Sequence, residues 1–216
     1  MREQVISAIL ENKIIAIIRG IYGNDCRNLI KALVKGGINL IEVTFDQANP
    51  ESFKETQAAI EMINSDFEDV YAGAGTVTDT MLVQMANEAG AKYIISPNVD
   101  IDVIKKTKKL GLVSIPGAMT PTEIRYARLS GADFVKVFPI SNLGGAAYIK
   151  AVSAPLNNIP LLGVGGVNEN NINELIKAGA KGAGVGGNLV NKKWIADGRF
   201  EEITALAEKF CSEARR

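Results

Sequence analysis

The chain has 216 residues, with 24 basic and 24 acidic side chains, no histidine and two cysteines. This length predicts a single domain over residues 1–216. The balanced charge argues against a nucleic-acid or anionic-membrane partner, because either would need a basic surplus. The lack of histidine excludes Ser-His-Asp and Cys-His nucleophile systems and His-ligated zinc. Cys26 and Cys211 form no Cys-x-x-Cys motif, so we predict neither a metal site nor a redox pair.

The N-terminal residues 1–11 predict a short amphipathic helix with Val5, Ile6, Ile9 and Leu10 on one side. This segment carries an acidic residue early and lacks the unbroken apolar core of a signal peptide. No stretch of the chain approaches the roughly 18 apolar residues of a membrane span. We therefore expect a cytoplasmic protein with no membrane partner.

A recurring pattern organises the rest of the chain. A helical segment ends in glycine, the usual residue just past a helix end, and a short apolar run follows. Such runs are typical of strands buried on both faces of a parallel sheet. The predicted strands are 14–18, 40–44, 70–74, 93–96, 112–115, 134–138, 159–164 and 182–185. Eight strand–helix units favour an α/β fold closed into a (β/α)₈ TIM barrel, with an open doubly wound sheet as the alternative.

Lys136 lies in the middle of the apolar run 134–138. A buried lysine is rare, because taking an ammonium group out of water costs several kcal/mol. One interpretation is that the side chain reaches from the strand end to solvent. The other is that burial lowers its pKa, which leaves a neutral amine able to attack a carbonyl and form a Schiff base.

Glu42 is the corresponding acidic residue of the strand 40–44. Side chains alternate along a strand, so Glu42 shares one face with Thr44 while Ile41 and Val43 occupy the other. If the apolar pair packs against the helices, Glu42 points into the barrel. Together with Lys136 it would form either a structural ion pair or the proton-transfer group that imine chemistry requires.

The ends of the first and third strands carry further candidates, because barrel active sites lie where strands end. Arg19 ends the first strand and suits a substrate carboxylate or phosphate, although a plain surface arginine is also consistent. The third strand ends in Gly73-Ala74-Gly75-Thr76. There the glycines permit close backbone approach and the Thr76 hydroxyl can bind a polar substrate group.

The last two strands end in glycine pairs, Gly165-Gly166 and Gly186-Gly187, and Asn188 follows the second pair. Exposed backbone N–H groups and helix N-termini attract anions, and the last two loops are the usual phosphate site of a barrel. The sequence therefore predicts a phosphate-binding mouth.

Six motifs occur in the order and spacing of a known family. They are Leu40-Ile41-Glu42-Val43-Thr44, Gly73-Ala74-Gly75-Thr76-Val77, Ile95-Ser96-Pro97, Ile115-Pro116-Gly117, Lys136-Val137-Phe138-Pro139 and Gly163-Val164-Gly165-Gly166-Val167. Through them the chain resembles the class I 2-keto-3-deoxy-6-phosphogluconate (KDPG) aldolases, which also act on 4-hydroxy-2-oxoglutarate (KHG).

The resemblance implies that Lys136 is the Schiff-base lysine, that Glu42 is the general acid/base, and that Thr76 and Pro97 contact the substrate. It also implies a homotrimer that uses neither a metal nor a cofactor. Its small-molecule partner would be a phosphorylated keto acid.

Three positions depart from the family pattern. Asp46 stands where many members carry an arginine for the substrate carboxylate, and Arg19 is expected to take over that role. Val164 replaces a threonine of the phosphate loop, and Asn188 replaces a serine. The lost hydroxyl donors weaken the case for a phosphorylated substrate without abolishing it.

The predicted reaction is cleavage of KDPG to pyruvate and glyceraldehyde 3-phosphate, and of KHG to pyruvate and glyoxylate. Three alternatives stay open. The first is an aldolase for another 2-keto-3-deoxy sugar acid, such as the galactonate epimer. The second is an isomerase or synthase in which Lys136 only stabilises charge. The third is a non-catalytic phosphate-binding barrel.

Overall fold

Every strand pairing in the computed structural model, which describes residues 1–216, is parallel. The strands are β1 (Ile14–Ile18), β2 (Leu40–Thr44), β3 (Tyr71–Gly75), β4 (Tyr93–Ile95), β5 (Val113–Ile115), β6 (Gly117–Ala118), β7 (Val135–Val137), β8 (Leu161–Val164) and β9 (Gly182–Val185). Their order in the sheet is β5-β4-β3-β2-β1-β9-β8-β7-β6. Each strand therefore lies beside its neighbour in sequence, and β1 pairs with β9.

The segments β5 and β6 are two halves of one strand, interrupted at Pro116, which has no backbone N–H. β5 pairs with β4, whereas β6 pairs with β7. The Pro116 carbonyl accepts a hydrogen bond of 2.9 Å from the Lys136 backbone N–H and so bridges the break. The ring closes through this bent strand as a (β/α)₈ barrel. The predicted TIM barrel is confirmed, and the open-sheet alternative is wrong.

One helix precedes β1, and at least one helix follows each strand of the barrel. They are α1 (Arg2–Asn12), α2 (Gly23–Lys35), α3 (Phe53–Asp66), α4 (Thr80–Glu88), α5 (Ile101–Lys109), α6 (Pro121–Leu129), α7 (Ala146–Ser153), α8 (Ile172–Lys177), α9 (Lys192–Ala196) and α10 (Phe200–Arg215), with 3₁₀ turns at Pro50–Ser52 and Ile140–Leu143. Side chains cap several N-termini; Thr120 and Glu123 form a capping box that starts α6. None of these helices combines the length and the apolar character that crossing a bilayer requires.

Alternation along the strands divides the core into two layers. Ile41 and Val43 face outward into the larger apolar cluster, which the helices cover. Leu40 faces inward and packs in a smaller cluster with Tyr93 and Phe134 inside the barrel. This alternation places Glu42 on the inner side, as the pattern of β2 predicts.

Helix α1 closes the amino end of the barrel, where Val5, Ala8 and Ile9 join the inner cluster. The predicted apolar face was wrong for Leu10, which is 40% exposed, while Ala8 is buried in its place. Residues three and four apart share one helix face, so Val5, Ala8 and Ile9 turn to the barrel together and Leu10 turns away.

Asp133 holds this closure in place. Its carboxylate accepts hydrogen bonds from Arg2 of α1, from Lys108 Nζ at 2.6 and 2.8 Å, and from the Ser114 backbone N–H at 2.9 Å. Burial would raise the pKa of Asp133, but these hydrogen bonds outweigh it and hold the pKa below its usual range. The amino end of the barrel is therefore sealed by apolar packing and one buried carboxylate.

Candidate active site

Lys136 projects from β7 into the barrel and is only 8% exposed. Its Nζ lies 4.8 Å from the ring centroid of Phe138, which is partly exposed at the barrel mouth. Burial lowers the pKa of Lys136; the carboxylate of Glu42 opposes this effect and the charge of Arg19 adds to it. A side chain this enclosed does not reach into solvent as a snorkelling ammonium would, and its enclosure shifts the lysine towards the neutral amine.

Glu42 projects from β2 into the same interior and is 2% exposed. Its carboxyl group has no hydrogen-bond partner, and neither it nor Lys136 takes part in any of the ion pairs of the structure. Burial raises the pKa of Glu42, while the charges of Lys136 and Arg19 oppose the rise. Glu42 and Lys136 therefore do not make the contact that a structural ion pair requires. The site holds a buried acid and a buried amine whose pKa values are both shifted towards the uncharged form.

Two glycines of β3 provide the space that this arrangement needs. A Cβ atom on Gly75 would lie 1.8 Å from Glu42 Oε1, and one on Gly73 would lie 2.1 Å from the Tyr93 ring. The sequence predicts that these glycines permit close backbone approach. The structure instead shows that neighbouring side chains, Glu42 and Tyr93, fill the space above them.

Tyr93 is a residue of the site that the sequence analysis treated as part of an apolar strand. It is fully buried, and its hydroxyl has no hydrogen-bond partner. Burial raises the pKa of Tyr93 well above its usual range, and the negative charge of Glu42 adds to the rise. The phenol therefore stays protonated beside Glu42.

Arg19 and Thr76 meet at the carboxyl ends of β1 and β3. Arg19 is exposed, and its Nη2 donates a hydrogen bond of 3.3 Å to Thr76 Oγ1. Thr76 has a φ of 56°, which is rare for a β-branched residue and typical of functional sites when it occurs.

Gln47, which sequence reasoning missed, fixes this strained residue. Its amide donates to the Thr76 carbonyl at 3.0 Å and accepts from the Thr78 hydroxyl at 3.1 Å. Asp46 beside it is exposed, and its side chain accepts from the Ala48 backbone N–H at 3.0 Å. The loop after β2 therefore supports Thr76 through Gln47.

Pro97 follows β4 at the same end of the barrel and is half-buried. A Cβ atom on Gly117 would lie 2.3 Å from the Pro97 carbonyl oxygen, so the glycine allows the two loops to approach closely. Neither Pro97 nor Thr76 lines the cavity that the glycine pairs form.

A cavity of about 380 Å³ opens between the loops after β8 and β9. It brings together six of the predicted residues, Arg19, Gly165, Gly166, Gly186, Gly187 and Asn188. We call it the glycine pocket. Phe138 and Val164 also line it, which connects it to the mouth above Lys136.

The two glycine pairs of this pocket differ in their constraints. Gly165 and Gly166 have φ angles of 95° and 76°, and a Cβ on Gly166 would lie 2.3 Å from Ser141 Oγ. Gly187 has no neighbour within 4 Å of a Cβ position, so its missing side chain leaves open space in the pocket. The Asn188 amide donates to the Val167 carbonyl at 2.8 Å and ties the two loops together. No group of three or more His, Cys, Asp or Glu side chains is placed to hold a metal ion.

The chain is similar to known aldolases over nearly its whole length. A family model described as KDPG and KHG aldolase matches residues 5–206. A Treponema pallidum protein named 2-dehydro-3-deoxy-phosphogluconate aldolase is 34% identical over 185 residues, 86% of this chain and 85% of that protein. A Rhizobium meliloti protein named probable 2-dehydro-3-deoxy-6-phosphogalactonate aldolase is 33% identical over 200 residues, 92% of each chain.

Among solved structures, the KDPG aldolase of Legionella pneumophila with pyruvate captured at low pH as a covalent carbinolamine intermediate has a TM-score of 0.82. Its identity is 26%, and the match covers 94% of this chain and 95% of that one. These relatives are all named aldolases, which are lyases, so the prediction of an enzyme is confirmed. The chain therefore belongs to the KDPG and KHG aldolase family.

Proposed function

We propose that the protein is a class I aldolase that cleaves KDPG to pyruvate and glyceraldehyde 3-phosphate, and KHG to pyruvate and glyoxylate. The observation that carries this proposal is the buried Lys136 amine. It shares the barrel interior with the buried Glu42, whose carboxyl group makes no hydrogen bond and no ion pair. The carbinolamine captured in the Legionella enzyme supports covalent chemistry between pyruvate and a member of this family.

The first stage is formation of the Schiff base. The neutral Lys136 amine adds to the C2 ketone of the substrate and forms a carbinolamine, from which loss of water leaves an iminium ion. The protonated carboxyl of Glu42 supplies the proton that the departing hydroxyl needs. The new positive charge then favours the carboxylate form of Glu42, because an opposite charge nearby lowers the pKa of an acid.

The second stage is cleavage of the C3–C4 bond. The Glu42 carboxylate takes the proton of the C4 hydroxyl, the C3–C4 electron pair moves towards the iminium nitrogen, and the aldehyde leaves. The resulting enamine takes that proton back from Glu42 at C3, which leaves an iminium ion and the Glu42 carboxylate. Water then adds to the iminium carbon and gives its proton to Glu42, and collapse of the carbinolamine releases pyruvate and regenerates the neutral Lys136 amine. One carboxyl group therefore serves each proton transfer, which agrees with Glu42 being the buried acid of the site.

The charged ends of the substrate fit the two sides of the mouth. Arg19, held by Thr76, suits the C1 carboxylate and would replace the arginine that is absent at Asp46. The glycine pocket suits the phosphate, because its backbone N–H groups can donate to phosphate oxygens. Anchoring the far end of the substrate holds its ketone near the amine, and such binding energy raises kcat/KM.

A pyruvate-release assay with KDPG and KHG tests this assignment. Wild type should cleave KDPG with the higher kcat/KM. Gly187→Val should lower kcat/KM for KDPG and spare KHG, because the open space at Gly187 lets the protein fold while the side chain enters the pocket. Gly187 is chosen over Gly166 for this test. Gly166 has a positive φ, and a side chain there would clash with Ser141, so Gly166→Val would disturb the fold. A wild-type preference for KHG, or equal losses with both substrates in Gly187→Val, would refute the phosphate assignment.

The galactonate epimer of KDPG is the second candidate substrate. The phosphogalactonate and phosphogluconate aldolases match this chain at nearly equal identity, 33% and 34%. At position 164 the glycine pocket has the apolar side chain of a valine, whereas the family pattern has a threonine with its hydroxyl group. Assaying both epimers side by side distinguishes the two candidates by their kcat/KM.

The homotrimer and the cytoplasmic location stay predictions. The trimer has one structural support, an apolar groove between α6 and the segment after α7. Its lining includes Tyr126 and Leu129, which are 51% and 69% exposed. Exposed apolar surface of this kind marks protein contacts. Light scattering should show a trimer, and Leu129→Glu should shift it towards the monomer; a monomeric wild type would refute the assembly.

A further inference from the structure

A second cavity adjoins the glycine pocket on its β1 side. It has a volume of about 420 Å³ and shares Arg19, Gly186 and Gly187 with that pocket. Its other lining residues include Lys192 and Lys193, at the start of α9. No acidic residue lines either cavity. The two cavities together are therefore lined by three positive side chains and by no negative side chain.

Lys192 lies close to the loop that follows β1. Its Nζ lies 3.8 Å from the position that a Cβ on Gly20 would take, directly after Arg19 in the chain. The Lys192 ammonium makes no ion pair and no hydrogen bond. An unpaired ammonium that lines the same cavity as an arginine without an acidic partner is suited to bind a mobile anion.

The glycine pocket itself offers few side-chain donors. Arg19 is its one charged lining side chain, and in the proposed function that arginine is occupied by the C1 carboxylate of the substrate. Val164 has no donor, and the Asn188 amide donates to Val167. Backbone N–H groups provide hydrogen bonds, but they do not balance the nearly two negative charges of a phosphate at neutral pH. A lysine at the edge of the glycine pocket would supply the positive charge that a bound phosphate needs.

We propose that Lys192 binds the substrate phosphate from the β1 side of the glycine pocket and makes the enzyme selective for phosphorylated keto acids. This inference rests on the proposed function, because it takes the phosphate to occupy that pocket. The ammonium would donate charge-assisted hydrogen bonds to phosphate oxygens across Gly186 and Gly187. Lys192 is therefore a specificity residue, separate from the groups that perform the chemistry.

The test compares Lys192→Gln and Lys192→Arg with the control Lys181→Gln. Lys181 is exposed and lies directly before β9, at the opposite end of the barrel from the glycine pocket. Lys181→Gln therefore changes the net charge as much as Lys192→Gln does, but away from the pocket. Three quantities are measured: kcat/KM for KDPG and its galactonate epimer, kcat/KM for KHG, and the inhibition constant of inorganic phosphate. Trapping of pyruvate with borohydride provides a readout that involves no phosphate.

Lys192→Gln should lower kcat/KM for the phosphorylated acid by about tenfold, the scale of one hydrogen bond between charged groups at an exposed site. It should weaken inhibition by inorganic phosphate to a similar extent and leave KHG cleavage and pyruvate trapping within about twofold. Lys192→Arg should recover most of the loss, because it keeps the charge. Lys181→Gln should match wild type.

Two results would overturn the inference while the proposed function stands: Lys192→Gln behaves like Lys181→Gln, or it impairs phosphorylated and unphosphorylated substrates equally. The reverse case is also recognisable. If wild type cleaves none of the acids but Lys192→Gln weakens phosphate binding in a direct titration, the anion site stands and the proposed function fails.

Discussion

Gly75→Ala is expected to displace the Glu42 carboxyl group, the proposed acid/base, without replacing any titratable residue. The added Cβ would lie 1.8 Å from Glu42 Oε1, 2.5 Å from its Cδ and 2.6 Å from its Cγ. Non-bonded heavy atoms are comfortable at about 3.5 Å, so the carboxyl group has to move by more than about 1 Å. Crowding of this kind costs about 1–3 kcal/mol of stability.

The effect on turnover should exceed the effect on folding. A misplacement of about 1 Å in a reacting group can reduce the rate about 10²-fold, so we expect kcat for pyruvate release to fall by about that factor or more. The melting temperature should fall by about 2–12 °C, at about 2–4 °C per kcal/mol for a chain of this length.

Gly163→Ala is the matched control for this variant. Gly163 lies within β8, faces outward towards the helices, and would bring its Cβ no closer than 3.5 Å to Leu175. It should fold normally and retain kcat within about threefold, since no crowding arises. If Gly75→Ala also retains kcat within that range while it is folded, the position of the Glu42 carboxyl does not control the reaction and the reasoning fails.

Three further variants test separate parts of the account. Glu42→Gln should cut kcat by about 10²- to 10⁴-fold with the fold intact, and unchanged turnover would remove its acid/base role. Tyr93→Phe should raise the free energy of unfolding by about 1–3 kcal/mol, because it removes a buried hydroxyl that has no partner; a destabilised variant in urea titration would indicate a hidden partner. Asp133→Asn should lose about 2 kcal/mol at neutral pH, less than for a fully buried ion pair because Lys108 is partly exposed. Because the folded pKa of Asp133 is depressed, its contribution is complete above the unfolded pKa of about 3.9 and disappears as pH falls through the folded pKa. As the pH falls through this range, the free energy of unfolding should therefore decrease less in Asp133→Asn than in wild type. The same pH dependence in both proteins would contradict this.

Most of the fold could be predicted from local patterns. The ranges 14–18, 40–44 and 182–185 match the observed β1, β2 and β9. Short apolar runs of this kind are typical of strands buried on both faces of a parallel sheet. The break at Pro116 was not predicted. Two residues of Gly-Ala carry no strand signal of their own, and their pairing with β7 depends on closure of the ring.

The chemistry of the site was visible where a charge interrupts an apolar run, as with Lys136 and Glu42. Tyr93, Gln47 and Lys192 were not visible for a different reason. A tyrosine in a strand is usual in a core, and a glutamine or lysine in a loop is usual on a surface. The role of Gly73 depends on the register that sets it beside Glu42 on one strand and Tyr93 on the other. Such lateral neighbours come from different parts of the chain, so no local pattern contains them.

Reductive trapping with pyruvate tests the central claim, a Schiff base on Lys136, most directly. The protein is incubated with pyruvate and borohydride at neutral pH, digested and mapped by mass spectrometry, with Lys136→Gln as the control. We expect a single modified lysine, Lys136, and no adduct in the control, because this buried amine has a lowered pKa. An adduct on another lysine, or no adduct in wild type, would contradict it.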